Sequence, residues 1–261
     1  MPKFAANLSM MFSEVPFLDR FDAAAAAGFK GVEFLFPYEF SPEAIEEKLR
    51  QYGVEIVLFN MPPGNWGAGE RGITSIPGRE EEFREGVEKA LLYATRLGVP
   101  RLHAMAGIPP ASADRAACRE TLIANLTYAA EQLAPHGITL LLEAINNRDM
   151  PGFFVNTQAE SFDICQAVGA PNLKMQMDLY HMQVMEGDLA MKLKKYAAHC
   201  GHIQIASAPA RNEPDGGEVR YEYLYRLLDE IGYSGWLGCE YRPAGKTEDG
   251  LGWFRTMPAA G

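Results

Sequence analysis

The sequence has no stretch of apolar residues that approaches the roughly 20 needed to cross a membrane. Its first residues, MPKFAANLSMMF, lack the long apolar core and small-residue cleavage site of a secretory signal. The 4 cysteines are scattered without a CxxC pair, which disfavours both a zinc knuckle and a disulfide framework. From these absences we expect a cytoplasmic protein that has no membrane partner.

Positive charge is also scarce. The chain has 24 lysines and arginines against 34 aspartates and glutamates, which gives a formal net charge of -10 at pH 7. A protein that binds a nucleic-acid backbone needs a basic stripe, so we expect no nucleic-acid partner. The balance does not disfavour a small anionic substrate, because a few local arginines can outweigh the overall charge.

The sequence does contain a regular alternation of short β-rich runs and longer helical patterns. Apolar residues such as Phe83, Val87, Leu91 and Ala94 recur with the spacing of one helix face. Glycines close several helical stretches just before the next strand begins, as in YGVEIVLF and HGITLLLE. The predicted strands are 3–8, 31–36, 54–60, 101–106, Thr139–Glu143, Leu173–Asp178, 202–205 and 235–240.

This alternation predicts an α/β fold, a single (β/α)₈ TIM barrel over residues 1–261. The rival fold is a doubly wound open sheet. It is disfavoured because the first strand ends AANLSMMF and no glycine-rich phosphate loop follows it. One long irregular segment, MPPGNWGAGERGITSIPG at 61–78, follows the third strand. Its length and its position at a strand's carboxyl end predict an active-site lid.

Polar side chains end nearly every predicted strand, at the face where TIM-barrel active sites form. The last four strands end in oxygen-bearing side chains, namely Glu143, Asp178, Gln204 and Glu240. One such glutamate alone is more simply a solvated or ion-paired residue, but four successive strands with oxygen ligands indicate a shared site. Three converging carboxylates repel one another unless a cation lies between them. An all-oxygen set favours Mg²⁺ or Mn²⁺ over Zn²⁺.

The segments around these strand ends closely resemble the hydroxypyruvate isomerases, members of the xylose-isomerase-like barrel superfamily. The similar segments are LLEAINNRDMPGFF, MQMDLYHMQVMEGDL, HIQIASAPARNEPDGGEV and GWLGCEYRP. The resemblance extends over nearly the whole chain through FAANLSMMF, GVEFLFPYEF and GAGERGITSIPGREEEF.

The resemblance implies a xylose-isomerase-like barrel in which Glu143, Asp178, Gln204 and Glu240 hold a divalent metal. It implies that Glu143 and Glu240 donate and accept a proton while hydroxypyruvate and tartronate semialdehyde interconvert through an enediolate. The chain departs from the superfamily's sugar epimerases at Gln204, where they usually have histidine. An amide oxygen is a harder ligand than a histidine nitrogen, so this departure favours a harder metal ion. Barrels of this family often self-associate, so a homo-oligomer is compatible with the resemblance.

Four further residues are candidates for contacts to a small 2-oxo acid or sugar substrate. His181 lies just beyond the sixth strand and Arg211 lies in the loop after the seventh, and residues so placed contact substrate in related isomerases and epimerases. Arg71, in the lid's GERG, is a second candidate for the substrate carboxylate and otherwise pins the lid. His103 ends the fourth strand and is either a neighbour of the site or a satisfied core histidine.

Other functions are compatible with the same barrel. The runner-up is an isomerase or 3-epimerase of another small sugar or sugar acid, such as 2-oxo-tetronate. A DNA-repair nuclease is disfavoured because it requires a histidine-rich cluster of metals, whereas this acidic chain has only 5 histidines. A non-catalytic sugar-acid sensor is disfavoured because both candidate catalytic glutamates are present.

Overall fold

The computed structural model describes residues 3–256, and within that range eight parallel strands close into a barrel in chain order. The first strand pairs with both the second and the eighth, which closes the sheet. The strands are β1 (Lys3–Asn7), β2 (Gly31–Phe34), β3 (Glu55–Asn60), β4 (Arg101–His103), β5 (Thr139–Glu143), β6 (Leu173–Asp178), β7 (Cys200–Ile205) and β8 (Trp236–Cys239). The predicted TIM barrel is confirmed, and a strand lies at each of the eight predicted places, although some of the strands have different ends.

Helices surround the barrel and bury the apolar stripes that the sequence pattern predicts. Phe83, Val87 and Ala94 of the third helix are buried, and so are Leu224 and Leu228 of the eighth. The helices are α1 (Arg20–Ala26), α2 (Pro42–Tyr52), α3 (Glu80–Leu97), α4 (Arg115–Leu133), α5 (Gln158–Val168), α6 (Leu179–Met185), α7 (Leu189–Tyr196), α8 (Tyr221–Glu230) and α9 (Gly252–Arg255).

Local sequence signals set the ends of these helices. The Ser41 hydroxyl accepts a hydrogen bond from the Ala44 amide at 3.2 Å and so caps the start of α2. Gly53 ends the same helix with a φ of 63°, a left-handed conformation that glycine adopts without steric cost. Because the helix stops there, β3 begins two residues later at Glu55.

The fourth strand ends three residues earlier than predicted, at His103. The carbonyls of Met105 and Ala106 accept hydrogen bonds from the Thr74 hydroxyl and the Ser75 amide, each at 2.8 Å, instead of pairing within the sheet. These bonds fasten the second half of the 61–78 segment to the barrel rim. Residues 65–69 of that segment are exposed, and the role of the segment as a lid stays a prediction.

The prediction of one domain over residues 1–261 stays a prediction, and residues 1–2 and 257–261 lie outside the described part. Among residues 3–256, no helix has the length and apolar character needed to span a membrane.

Candidate active site

A cavity of about 470 Å³ opens at the carboxyl ends of the strands, which is a size typical of small-molecule sites. Its walls combine polar and apolar groups. The polar walls include Glu143, His181, Arg211, Glu240 and Arg242. Apolar contacts come from Leu35, Phe36, Trp66, Met105, Ile145 and Met150. The cavity is therefore lined by both charged and apolar groups.

Three of the four predicted metal ligands converge beside this cavity. Glu143 ends β5, Asp178 ends β6 and Glu240 directly follows β8, so the parallel barrel brings their side chains to the same rim. One ligand atom from each of them, together with one from His181, lies within 4.8 Å of the others. All four side chains are buried. Their role as ligands, and that of Gln204, stays a prediction.

Burial and mutual repulsion disfavour ionisation of these carboxyl groups. Burial raises the pKa of Glu143 well above its usual value, and the nearby charges of Glu240 and Asp178 raise it further. Burial also raises the pKa of Glu240 to about 8, although the Arg211 guanidinium opposes the shift. The pKa of Asp178 is raised for the same reason and is likewise opposed by Arg211. Three acids this close stay ionised together only if a cation lies among them.

In this structure Arg211 supplies the positive charge inside the cluster. Its Nη2 donates to Glu240 Oε2 at 2.6 Å and to Asp178 Oδ2 at 3.4 Å. Arg211 has a φ of 58°, which is uncommon and costly for a residue with a side chain. A hydrogen bond from its amide to the Ser207 carbonyl, 2.8 Å long, holds this turn. One guanidinium does not balance three carboxylates.

The two carboxyl oxygens of Asp178 have different partners. Oδ1 accepts a hydrogen bond from the Tyr180 amide at 2.8 Å and thereby caps the start of α6. Oδ2 faces Arg211 and His181. The strand-to-helix junction therefore fixes the aspartate while it leaves one oxygen directed into the site.

The hydrogen bonds of Asn146 indicate which nitrogen of His181 carries the proton. Asn146 Oδ1 accepts from the Asp149 amide at 2.7 Å, which fixes the orientation of the side-chain amide. Asn146 Nδ2 then lies 2.6 Å from His181 Nδ1, which favours Nδ1 as the acceptor and a hydrogen on Nε2, while Arg211 Nη2, also a donor, lies at the longer distance of 3.3 Å from Nε2. Burial and the charge of Arg211 lower the pKa of His181 well below its usual value. We infer a neutral His181 whose Nε2–H is directed towards the carboxylates, which suits a donor to substrate oxygen.

Gln204 lies beneath the carboxylates and belongs to a buried polar network. Its Nε2 donates to Glu33 Oε1 at 2.8 Å, and its Oε1 accepts from Gln176 Nε2 at 2.6 Å. His202 Nε2 lies 2.7 Å from the other oxygen of Glu33, and Asn7 Nδ2 lies 3.0 Å from Glu33 Oε1. Gln204 therefore presents its NH₂ group to Glu33 and its amide oxygen to Gln176.

If Gln204 is a ligand as predicted, replacement of Glu33 by glutamine weakens Mg²⁺ binding roughly 10- to 100-fold, the usual effect of losing a partner that orients a metal ligand. A glutamine can present either end of its amide, so Gln204 would no longer have a single orientation. Isothermal titration of the metal-free protein with Mg²⁺ measures the change. Asn125→Leu is the control, because Asn125 is buried and its side chain donates to the Thr74 carbonyl rather than to the carboxylate cluster. Unchanged Mg²⁺ affinity in a folded Glu33→Gln protein would contradict this role.

The other two predicted substrate contacts lie further from the cavity. His103 is buried with its Nδ1 3.7 Å from Glu143 Oε2, and neither ring nitrogen has a hydrogen-bond partner among the described residues. Burial lowers the pKa of His103 to about 3. The Arg71 guanidinium lies 4.0 Å from the centre of the Trp66 ring and donates to the Trp66 and Glu70 carbonyls. It therefore supports the exposed part of the lid segment, while its contact with substrate stays a prediction.

These groups fit a divalent cation. The Oε1 atom of Glu143 is buried and has no hydrogen-bond partner among the described residues, although an oxygen so placed normally has one. The cluster is rich in carboxylate oxygen, and His181 is the nitrogen donor in it. The donor set suits a hard cation better than Zn²⁺.

The raised pKa of Glu240 predicts a pH-dependent stability for the metal-free protein. The folded state retains a proton up to about pH 8, whereas the unfolded chain releases it near the ordinary value of 4.5. Folded-state stability from this group is therefore lost as the pH rises through this window. Between pH 4.5 and about pH 8 in EDTA, the Tm of the wild type is expected to fall by at least about 3 °C more than the Tm of Glu240→Gln. This difference corresponds to roughly 1 kcal/mol of unfolding free energy. Parallel Tm profiles for the two proteins would contradict this assignment.

Arg242 and Asn146 are features of the site that the sequence pattern does not single out. Arg242 follows Glu240 by two residues in GCEYRP, so the two-residue period of extended chain already places it on the same side. Glu33 is one of the polar residues near the predicted strand ends, but its contact with His202, 169 positions away in the chain, has no signal in the local pattern.

The closed parallel barrel, with acidic side chains at the carboxyl ends of its strands, defines the class of the protein. The family described as xylose isomerase-like TIM barrel matches residues 21–257, and the chain belongs to that family. The resemblance to the hydroxypyruvate isomerases within it is confirmed by close relatives.

The chain is 55% identical to 2-oxo-tetronate isomerase from Cupriavidus necator over 98% of each chain. It is 47% identical to hydroxypyruvate isomerase from Escherichia coli, over 97% of this chain and 98% of that one. A crystal structure named AP endonuclease, family 2, from Brucella melitensis aligns with a TM-score of 0.96, with 56% identity and 98% of each chain covered.

Proposed function

We propose that the protein is a divalent-metal-dependent isomerase of small hydroxy-oxo acids, of the aldose–ketose type, which interconverts hydroxypyruvate and tartronate semialdehyde. The observation that carries the proposal is the convergence of Glu143, Asp178 and Glu240 beside one cavity, with an unpartnered oxygen on Glu143. The names of the close relatives support an isomerase in particular.

Glu143 and Glu240 are the proposed proton carriers. Isomerisation requires that a proton leave C3 of hydroxypyruvate and that a proton reach C2, while the hydroxyl proton passes from the C3 oxygen to the C2 oxygen. A carboxyl group with a raised pKa can accept and return a proton near neutral pH, whereas an ordinary carboxylate is too weak a base. Both glutamates line the cavity. Glu143, with its free oxygen, is the better placed to accept first.

The remaining polar groups orient the substrate and the two glutamates. Asn7 Nδ2, 3.3 Å from Glu240 Oε1, and Arg211 Nη2 hold the Glu240 carboxylate from both of its oxygens. His181 directs Nε2–H at the position where a substrate oxygen develops negative charge. Such a preset donor stabilises an enediolate more than it stabilises the starting ketone.

The proposed ligands of the divalent cation are Glu143, Asp178, Gln204 and Glu240. When bound, Mg²⁺ or Mn²⁺ supplies Lewis-acid stabilisation of the negative charge that develops on the substrate oxygens. The oxygen-rich donor set supports these two ions. Gln204 Oε1 accepts one hydrogen bond from Gln176, and its second lone pair is the one that would take part.

The second candidate substrate is 2-oxo-tetronate, which undergoes the same proton transfer with one more hydroxylated carbon. It is supported by the 55% identity to 2-oxo-tetronate isomerase, against 47% to hydroxypyruvate isomerase. A cavity of about 470 Å³ has room for either acid. The two substrates share a carboxylate, a carbonyl and a neighbouring hydroxyl group, so the roles of the glutamates are the same.

The test is turnover by the metal-depleted protein after addition of Mg²⁺ or Mn²⁺. Hydroxypyruvate, 2-oxo-tetronate and D-psicose are compared at equal concentration, with an abasic-site DNA duplex as a fourth substrate. We expect turnover of one or both acids and loss of activity in EDTA. Turnover of the ketohexose alone would contradict the acid substrate, and cleavage of the duplex without isomerase activity would contradict the enzyme class. A cytoplasmic location and a homo-oligomer stay predictions.

A further inference from the structure

Two arginines line the cavity among its described residues, and they differ in how their charges are used. Arg211 is 6% exposed and contacts the carboxylates of Glu240, Asp178 and, at 3.9 Å, Asp149. Its positive charge is therefore shared among groups of the protein itself. An incoming carboxylate at Arg211 would compete with these oxygens, and with Glu240 in particular at 2.6 Å.

Arg242 stands at the rim of the same cavity with an uncommitted guanidinium. Its backbone is fixed, because its amide donates to the Arg211 carbonyl at 2.8 Å and its carbonyl accepts from Asn212 Nδ2 at 2.7 Å. Its side chain is exposed and forms no hydrogen bond, ion pair or ring contact within residues 3–256. The backbone thus holds a free cation in place beside Glu240.

Other charged groups near the rim do not take this place. The Arg71 guanidinium packs on Trp66 and bonds to two backbone carbonyls, and it does not line the cavity. Glu39 is the carboxylate at the exposed part of the cavity wall, and the structure contains no ion pair between Glu39 and Arg242. Among the described lining residues, Arg242 is therefore the cation available to an anionic ligand.

The charges of the site indicate what the Arg242 guanidinium could bind. The buried carboxyl groups of Glu143, Asp178 and Glu240, with Glu33 beside them, outnumber the single guanidinium of Arg211. The carboxylate of a 2-oxo acid then adds one negative charge that the interior does not balance. An arginine can bind a carboxylate through two parallel hydrogen bonds, which adds geometric selectivity to the attraction.

We propose that Arg242 binds the substrate carboxylate and makes the site selective for hydroxy-oxo acids over neutral sugars. This inference rests on the proposed isomerase function. In this arrangement the carboxylate points to the cavity rim, while the carbonyl and hydroxyl carbons lie towards Glu143 and Glu240. Arg242 is a binding residue that acts before and during proton transfer and takes no proton itself.

The test compares Arg242→Gln with wild type on two ketones that differ at one end. Hydroxypyruvate carries a carboxylate where dihydroxyacetone carries a hydroxymethyl group. For Arg242→Gln we expect KM for hydroxypyruvate to rise roughly 10- to 100-fold, the loss typical of a charged hydrogen bond. We expect kcat to change by less than about threefold and activity on dihydroxyacetone to be unaffected. Arg242→Lys should recover part of the loss because it retains the charge.

A binding measurement without turnover provides the second readout. Glycerate carries the same carboxylate but no carbonyl, and its affinity for the Mg²⁺-loaded protein is measured by isothermal titration. Arg242→Gln should weaken glycerate binding by the same factor as it raises KM. Arg220→Gln is the matched control, since Arg220 is an exposed arginine outside the cavity that changes the net charge equally.

The outcomes separate this inference from the proposed function. If wild type isomerises either acid and Arg242→Gln keeps a wild-type KM and glycerate affinity, Arg242 is not the carboxylate site and the proposed function stands. If wild type isomerises neutral sugars but neither acid, both the inference and the proposed acid substrate are wrong. Equal losses on hydroxypyruvate and dihydroxyacetone would also overturn the inference, because they would indicate a structural effect.

Discussion

Glu143→Gln and Glu240→Gln are each expected to lower kcat on the acid substrate about 10²–10⁴-fold, the usual contribution of a positioned acid or base. Glutamine keeps the size of glutamate and one oxygen donor, but it cannot carry the proton. Each variant should therefore fold and bind Mg²⁺ to a useful degree. Steady-state kinetics at saturating Mg²⁺, with titration of the metal alongside, measure the two effects separately.

Glu55→Gln is the matched control for these two variants. Glu55 is exposed at the start of β3, at the opposite end of the barrel from the cavity, so its replacement changes the charge without touching the site. It should retain wild-type kcat. If Glu143→Gln loses stability and Mg²⁺ affinity but turns over at nearly the wild-type rate with saturating metal, Glu143 is structural and is not a proton carrier.

Arg211→Met is expected to have the second large effect, on the stability of the metal-free protein. Removal of one partner from a buried charge cluster costs about 3–5 kcal/mol, because the carboxylates lose their counter-charge. In EDTA this corresponds to a Tm lower by roughly 10 °C. Mg²⁺ affinity should rise about tenfold, since no guanidinium then competes for Glu240 and Asp178 or repels the incoming ion. Thermal unfolding and calorimetric titration measure these changes.

Arg101→Met serves as the control for this prediction. Arg101 is also partly buried, but it lies at the start of β4 and its Nε donates to the Gly201 carbonyl, away from the carboxylates. Its replacement should leave Mg²⁺ affinity unchanged. An Arg211→Met protein that is as stable as wild type in EDTA and binds Mg²⁺ no more tightly would show that Arg211 does not balance the cluster.

The barrel and most of the carboxylate cluster could be predicted because both depend on local pattern and on one topological rule. Short β-rich runs separated by helical periods indicate a parallel barrel, and a parallel barrel gathers the carboxyl ends of its strands. Glu143, Asp178 and Glu240 therefore had to lie near one another. The predicted end of β4 was wrong, because the apolar residues Met105 and Ala106 resemble a continued strand. Their carbonyls instead accept hydrogen bonds from Thr74 and Ser75.

The orientation of side chains could not be predicted from local pattern. Gln204 ends a strand as an oxygen-bearing residue, but its amide is held by Glu33 and Gln176, which are distant in sequence. The direction of an amide depends on partners that only the closed barrel brings together. The local pattern likewise does not predict that the Arg211 guanidinium pairs with buried carboxylates while the Arg242 guanidinium does not. This difference depends on how the loops that follow β7 and β8 contact each other.

The most direct measurement of the central claim is solvent deuterium incorporation during isomerisation in D₂O. The substrate is hydroxypyruvate, or 2-oxo-tetronate if only that acid is turned over, and NMR follows the carbon-bound hydrogens with a no-enzyme reaction as baseline. Proton transfer by Glu143 and Glu240 predicts metal-dependent incorporation at the receiving carbon in wild type. It predicts loss of incorporation in Glu143→Gln at saturating Mg²⁺. Wild-type incorporation and isomerisation rates in Glu143→Gln, or isomerisation that continues undiminished in EDTA, would contradict the account.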